Sequence, residues 1–497
     1  MAVAGEVAGQ AFEAPSPASL KAKVLSGLGW KLVSQVAGQG SRIAMGLVLA
    51  RLLTPGEFGL AAMAIAFSGL AMIFSDPALT AALVRRKEIT EEDRSTVFWT
   101  TVAAGLLCTL VVAALSPVIA GFFGEPAVRP LVIVESLSFC FVGLSATQIA
   151  LMTRAMEFRS LELREAAASV GGAMVAIALA VAGVGAWAII GQSIASVAIA
   201  TVLVWRFSKW RPRWIFSRRS LSECGSFGSK MFGARLLSYA NINADNLLIG
   251  RSLGAAALGT YAIAYNVMFA PLARLTSPIQ AVMIPAFARL QDDVPRLGHA
   301  WLRGARLTAF VSIPAFLGMA AVAPDFVPVV LGTRWTEAVP VLQLLCIAGI
   351  FQSVEALQWS VLQSCGRAGT LLRYTAVSTF VNVSAFVVGL HWGITGVAAG
   401  FVIARAIMVP VITRITCGVV GLRLSGYIRT HATVLLAGGA MLGIVLAVRL
   451  GLEEAGAAAI VRLPVVVGLG VVSYGGFVLW WAKDVSDELR ALRRSRT

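Results

Sequence analysis

Charge is scarce in this chain. Only 13% of its residues are Asp, Glu, Lys or Arg, against about a quarter in soluble domains. With 58% apolar residues and a mean hydropathy of +0.81, that shortage excludes an ordinary water-soluble fold. Histidine is nearly missing: His299, His391 and His431 stand far apart, so no metal site is visible. The six cysteines (Cys108, Cys140, Cys224, Cys346, Cys365 and Cys417) contain no C-x-x-C pair, which leaves neither a zinc nor a redox signature. Most lie in or beside apolar runs and read as small buried hydrophobes. The first residues lack the charged start and apolar core of a signal peptide, and 1–25 is expected to be a disordered cytoplasmic tail.

What the chain does have is long apolar runs. Stretches of roughly 20 residues recur from end to end, each long enough to cross a bilayer as a helix. They give about fourteen spans, near 29–50, 59–82, 97–121, 130–152, 163–183, 186–206, 226–249, 258–285, 305–323, 338–362, 370–390, 393–413, 431–449 and 461–481. The net charge of +16 fits this topology rather than a nucleic-acid partner. With the N-terminus inside, about 29 of the Lys and Arg residues fall in cytoplasmic segments and about six on the opposite side. That bias predicts a multi-pass membrane protein with both termini cytoplasmic.

The longest internal loop, 207–225, divides the first twelve spans into six and six. A repeat supports the division. "LVLARLLTPGEFGLAAMA" (47–64) aligns without a gap on "LLIGRSLGAAALGTYAIA" (247–264), pairing Leu47/Leu247, Arg51/Arg251, Leu53/Leu253, Gly59/Gly259, Ala62/Ala262 and Ala64/Ala264. Both copies start on the same side, so the repeats are parallel, as in many transporters. The expected fold is an all-α polytopic membrane protein with two pseudo-symmetric six-helix bundles, 26–206 and 226–417. Two extra helices follow at 418–482, then a basic tail at 483–497.

Ionisable residues inside a membrane are costly and face a bundle interior or water. Gln35, Gln39 and Arg42 share one face of the first span. Arg235, Ser238, Asn241 and Asp245 share one side of the seventh, its counterpart in the repeat. Both faces are expected to line a hydrated cavity. Two alternatives stand beside that reading: the amides join helices as packing glue, and Asp245 pairs with Arg235 or Arg274. With Arg42, Arg235, Arg274 and Arg405 facing the cavity, the cargo is expected to be anionic, phosphate or pyrophosphate being the natural partner of arginine. Trp359 and Trp392 are either sugar platforms or interfacial belt residues.

The strings "LARLLTPGEFGLAAMAIAF", "SDPALTAALVRRKEITEEDRSTVFW", "GVGAWAIIGQ" and "NADNLLIGRSLGAAALGTYAIAYNV" resemble the Wzx-type polysaccharide exporters, in particular the colanic-acid and teichuronic-acid branch. The similarity runs from about residue 25 to about residue 420. It implies the multidrug/oligosaccharidyl-lipid/polysaccharide superfamily, alternating access, and transport of undecaprenyl-pyrophosphate-linked oligosaccharide from the inner to the outer leaflet. Asp76, Asp245–Asn246 and Arg42 occupy family-style positions, although the branch's D-x-G-L reads Asp76-Pro77-Ala78-Leu79 here. A transporter of this kind performs no covalent chemistry and needs no cofactor. A coupling H⁺ or Na⁺ would use Asp245, Asp76 or Glu355. Expected partners are the lipid-linked oligosaccharide, membrane lipids, and the polymerase and glycosyltransferases that handle the same glycan. The rival readings are a cation-coupled multidrug antiporter and a non-transporting scaffold.

Overall fold

The computed structural model describes residues 45–75, 80, 83, 84, 86 and 88–481. The described residues form helices and connections, with no strand among them. After a helical end at 45–52, the order is α1 (Pro55–Ser75), α2 (Glu91–Phe123), α3 (Val128–Arg154), α4 (Phe158–Val181), α5 (Trp187–Phe207) and α6 (Arg218–Leu290). Then come α7 (Val294–Phe326), α8 (Ala338–Ser364), α9 (Ala368–Gly389), α10 (Gly393–Val419), α11 (Leu424–Glu454) and α12 (Ala459–Trp481). Ten helical stretches among the described residues are long and apolar enough to cross a membrane. One of these, Ala368–Val419, covers both α9 and α10 and so two expected spans. The first expected span lies mostly outside the described residues.

The connections follow local chemistry. In "LTPGEFG", Glu57 Oε2 accepts from the Thr54 N–H at 2.7 Å and from its hydroxyl at 2.9 Å. Pro55 opens α1, where its missing N–H is harmless. Before α2, the Thr90 hydroxyl accepts from the Asp93 N–H at 3.1 Å and Asp93 accepts from the Thr90 N–H at 3.0 Å, a reciprocal cap. The helix α6 holds both the seventh and eighth expected spans. They are divided at Gly254 (φ 83°, ψ −177°), a conformation essentially confined to glycine. The expected loop 207–225 is shorter than the sequence suggested, because Ser217 caps α6 through the Ser220 N–H at 3.4 Å and the helix begins at Arg218.

Lipid is as apolar as the side chains, so helices associate here through close approach and hydrogen bonding. The pair α2/α3 shows how. A Cβ on Gly105 would stand 2.5 Å from the Phe139 carbonyl oxygen, and one on Gly143 2.5 Å from that of Thr101. The Thr101 hydroxyl reaches the Gly143 carbonyl at 3.0 Å, and the Thr109 hydroxyl that of Ser136 at 2.8 Å. Further along, α7 and α8 meet at a buried Ser312–Ser353 hydroxyl pair, 2.8 Å apart. The repeat extends to element lengths: α2 and α7 each have 33 residues, α3 and α8 each 27.

The extra helices α11 and α12 lean on α7 at both ends. At one end the rings of Trp301 and Tyr427 stack at 4.8 Å, and the His431 ring lies tilted against Tyr427 at 4.3 Å. At the other, Asp325 receives Arg449 at 2.8 Å and Arg462 at 2.6 Å, with Glu453 beside both arginines. Between them, the Tyr474 hydroxyl donates to the Phe310 carbonyl at 2.8 Å.

Candidate transport site

The polar stretch Tyr239–Gly254 lies in α6 against neighbours from both halves. Tyr239 donates its hydroxyl to the Ala66 carbonyl of α1. The Asn382 amide, fully buried on α9, donates to Asn241 Oδ1 at 2.7 Å. Asp245 is 4% exposed and accepts from the Tyr261 hydroxyl at 2.9 Å and from the Asn246 N–H at 2.8 Å. Two of the chain's six tyrosines thus meet two buried carboxylates here, Tyr261 on Asp245 and Tyr374 on Glu355.

Glu355 of α8 is 6% exposed. Its Oε2 receives Arg405 Nη1 of α10 at 2.8 Å. Its Oε1 accepts from the Tyr374 hydroxyl at 2.9 Å and from Trp359 Nε1 at 3.2 Å. The Arg405 guanidinium also lies over Phe401, 4.9 Å from the ring centre. A lone charge at this depth would be prohibitive, whereas a hydrogen-bonded pair is tolerated. The sequence reading put Arg405 among cations facing the cargo and Glu355 among groups facing a coupling ion. The structure brings the two together, so each neutralises the other. Trp359 is committed to Glu355 and stands edge-on to Tyr374 rather than forming an open platform. Trp392 is 70% exposed, as a belt residue would be.

The other expected site residues stand as follows. Gln35, Gln39, Arg42 and Asp76 lie outside the described residues. Arg235 and Arg274 are within α6, with their side chains outside the described part. Sequence reasoning missed Tyr261, Tyr374 and Asn382. The available signal was rarity: each is a polar group within an otherwise apolar helix of a chain with few tyrosines.

At the end of the molecule that carries Arg51 and Arg251, the two halves close on each other through repeat-related residues. A Cβ on Gly59 would stand 1.7 Å from the Ala255 carbonyl oxygen, and one on Gly259 1.8 Å from that of Pro55. The contacts are reciprocal, since Ala255 is to the second copy what Pro55 is to the first. Arg51 donates to the carbonyls of Val329 and, at 3.0 Å, Val330, just past the chain's ninth expected span. Its counterpart Arg251 lies over Phe122 at the end of the third, 5.8 Å from the ring centre. Each arginine therefore reaches the opposite half. Trp335 adds a buried bond from Nε1 to the Ala50 carbonyl at 2.7 Å and an edge contact with Phe58 at 5.2 Å.

Comparison with known proteins bears on what such an arrangement belongs to. A family model described as polysaccharide biosynthesis protein matches residues 48–340. The chain is 31% identical over 397 residues to the lipopolysaccharide biosynthesis protein WzxC of Escherichia coli (strain K12), covering 78% of this chain and 80% of that protein. It is 28% identical over 473 residues to the teichuronic acid biosynthesis protein TuaB of Bacillus subtilis (strain 168), covering 92% and 95%. Among solved structures, the lipid II flippase MurJ in an inward closed conformation superimposes with a TM-score of 0.77 at 15% identity, over 93% of this chain and 99% of that one. At that identity the likeness speaks for the fold alone. Family model, relatives and fold agree: the chain belongs to the polysaccharide biosynthesis protein family, among the Wzx-type exporters of the multidrug/oligosaccharidyl-lipid/polysaccharide flippase superfamily.

Proposed function

We propose that this protein is a flippase for undecaprenyl-pyrophosphate-linked oligosaccharide, carrying it from the inner to the outer leaflet of the bacterial inner membrane by alternating access. The observation that carries the reading is the reciprocal contact of Gly59 and Gly259, with Arg51 and Arg251 beside it. Two parallel halves that meet at one end through small, repeat-related surfaces can rock against each other around a central site without unpacking either half. A polar, hydrogen-bonded face on α6 beside that contact supports a hydrated path between them.

In this reading Arg42, Arg235 and Arg274 attract the pyrophosphate, and Gln35, Gln39 and Asn241 exchange hydrogen bonds with the sugars. The lipid tail stays in the bilayer. The described buried network holds two carboxylates, Asp245 and Glu355, against one guanidinium, Arg405. That imbalance supports a proton or sodium ion as the coupling species at Asp245, with Asp76 as a further candidate. Both termini are cytoplasmic, and the natural partners are the polymerase and glycosyltransferases of the same glycan. As a transporter the protein makes and breaks no covalent bond.

The same acidic excess favours one rival, a cation-coupled multidrug antiporter. The deciding experiment is mass spectrometry of lipid-linked oligosaccharides in cells depleted of the protein. The flippase reading expects an undecaprenyl-pyrophosphate glycan to accumulate and surface polymer to fall. Unchanged glycolipid pools with new sensitivity to cationic dyes would replace it with the antiporter.

A further inference from the structure

The strap between α5 and α6, residues 208–217, has a second character that transport does not use. It is fastened across the start of α2 by polar bonds. Trp99 Nε1 donates to the Arg213 carbonyl at 2.9 Å, the Arg213 N–H to the Ser95 hydroxyl at 3.2 Å, and the Ser217 N–H to the Thr96 hydroxyl at 2.9 Å. Trp210 Nε1 donates to Glu91 at 2.8 Å. Arg211 turns back onto the carbonyls of Trp205, Ser208 and Trp210. With its polar groups so engaged, the strap turns apolar groups outward. Trp214 is 87% exposed and stacks on Trp99 at 4.0 Å, and Phe216 is 57% exposed. Together with Thr100, Ala103, Ile215 and Leu221 these rings line a groove of about 590 Å³.

The groove sits on the third and fourth turns of α2, a helix apolar enough to cross the membrane. That is the depth at which Trp rings prefer to lie, at the headgroup boundary. The sequence around it, "SKWRPRWIFSRR", contains no acid, and Lys209, Arg213 and Arg218 are exposed. An apolar groove at headgroup depth, with exposed cations along the strap that forms it, has the chemistry of a phospholipid site. We propose that the strap binds one anionic phospholipid of the leaflet on its side, an acyl chain lying in the groove and the phosphate meeting Lys209, Arg213 and Arg218. The lipid would fix the strap, and with it the junction between the two halves, to the membrane plane. The inference is independent of which cargo the halves carry.

The test is native mass spectrometry of the purified full-length protein titrated with phosphatidylglycerol or phosphatidylcholine. Wild type is expected to retain one phosphatidylglycerol in preference to phosphatidylcholine, by roughly 10- to 100-fold for three basic residues at an anionic headgroup. Arg213→Glu/Arg218→Glu is expected to abolish the preference, and Trp214→Ala/Phe216→Ala to weaken retention of both lipids. All four positions are exposed, and the charge variant needs no change to the ring stack, so it decides the matter even if the aromatic variant fails to fold. Equal preference in the charge variant and wild type overturns the proposal. Displacement of phosphatidylglycerol by an equal concentration of undecaprenyl phosphate overturns it too, by making the groove a cargo site.

Discussion

Replacing Gly259 by alanine should open the end of the molecule that is closed here. The added Cβ would lie 1.8 Å from the Pro55 carbonyl oxygen and 2.8 Å from the Gly59 nitrogen. Both are backbone atoms, so no side-chain rotation relieves the overlap and the halves must part. Overpacking of this kind costs about 1–3 kcal/mol. The penalty falls only on the state in which the halves touch, so the closed-to-open ratio should drop about 5- to 150-fold. Spin labels at Leu52→Cys and Thr336→Cys, both exposed at that end, in a background without the native cysteines, would report the distance across the contact. Wild type should give a short distance, and Gly259→Ala a population shifted to longer ones. Gly443→Ala is the control, because nothing lies within 4 Å of its added Cβ. An unchanged distance distribution in Gly259→Ala would refute the reasoning, since the contact would then not be what holds that end shut.

Other perturbations follow from the same geometry. Arg405→Leu strands Glu355 in a buried site and should destabilise the protein by about 3–5 kcal/mol, with Arg405→Leu/Glu355→Gln recovering much of the loss; thermal melting in detergent measures both, and no recovery in the double variant would show that the pair is not coupled. Asp325→Asn removes the carboxylate that joins Arg449 and Arg462. Faster proteolysis within α11–α12, with the rest of the chain protected, is the expected outcome. Trp335→Phe keeps the ring against Phe58 but deletes the bond to Ala50. It should weaken the closed end by about 0.5–1.5 kcal/mol, seen as a modest lengthening of the same spin-label distance.

The membrane class, the order of the helices and the repeat were legible because they rest on patterns within single segments. Apolar length marks each span, and Leu47–Ala64 matches Leu247–Ala264 without any knowledge of contacts. The caps at Thr54 and Thr90 are equally local, though the sequence reading did not draw them. Pairings between distant segments were not legible. Nothing near Arg405 in sequence indicates Glu355, fifty positions earlier, and the composition of the cavity was inferred from arginines counted as free. Asn382 sits in "FVNVSAF" with nothing beside it to hint that it meets Asn241. Helix facing decides these pairings, and single-segment periodicity fixes a face without naming what lies opposite it.

The closed end has the form of a homodimer interface. In a two-fold pair of identical subunits, residue i meets j and j meets i, and that is the relation of Gly59 to Ala255 and of Gly259 to Pro55. A half-length ancestor pairing with itself would have carried each contact twice, so any change there counted double. In a single chain that constraint is absent. The arginines record the result: Arg51 now grips backbone carbonyls, while Arg251 rests on an aromatic ring. Each side of the seam can therefore be strengthened or loosened by itself.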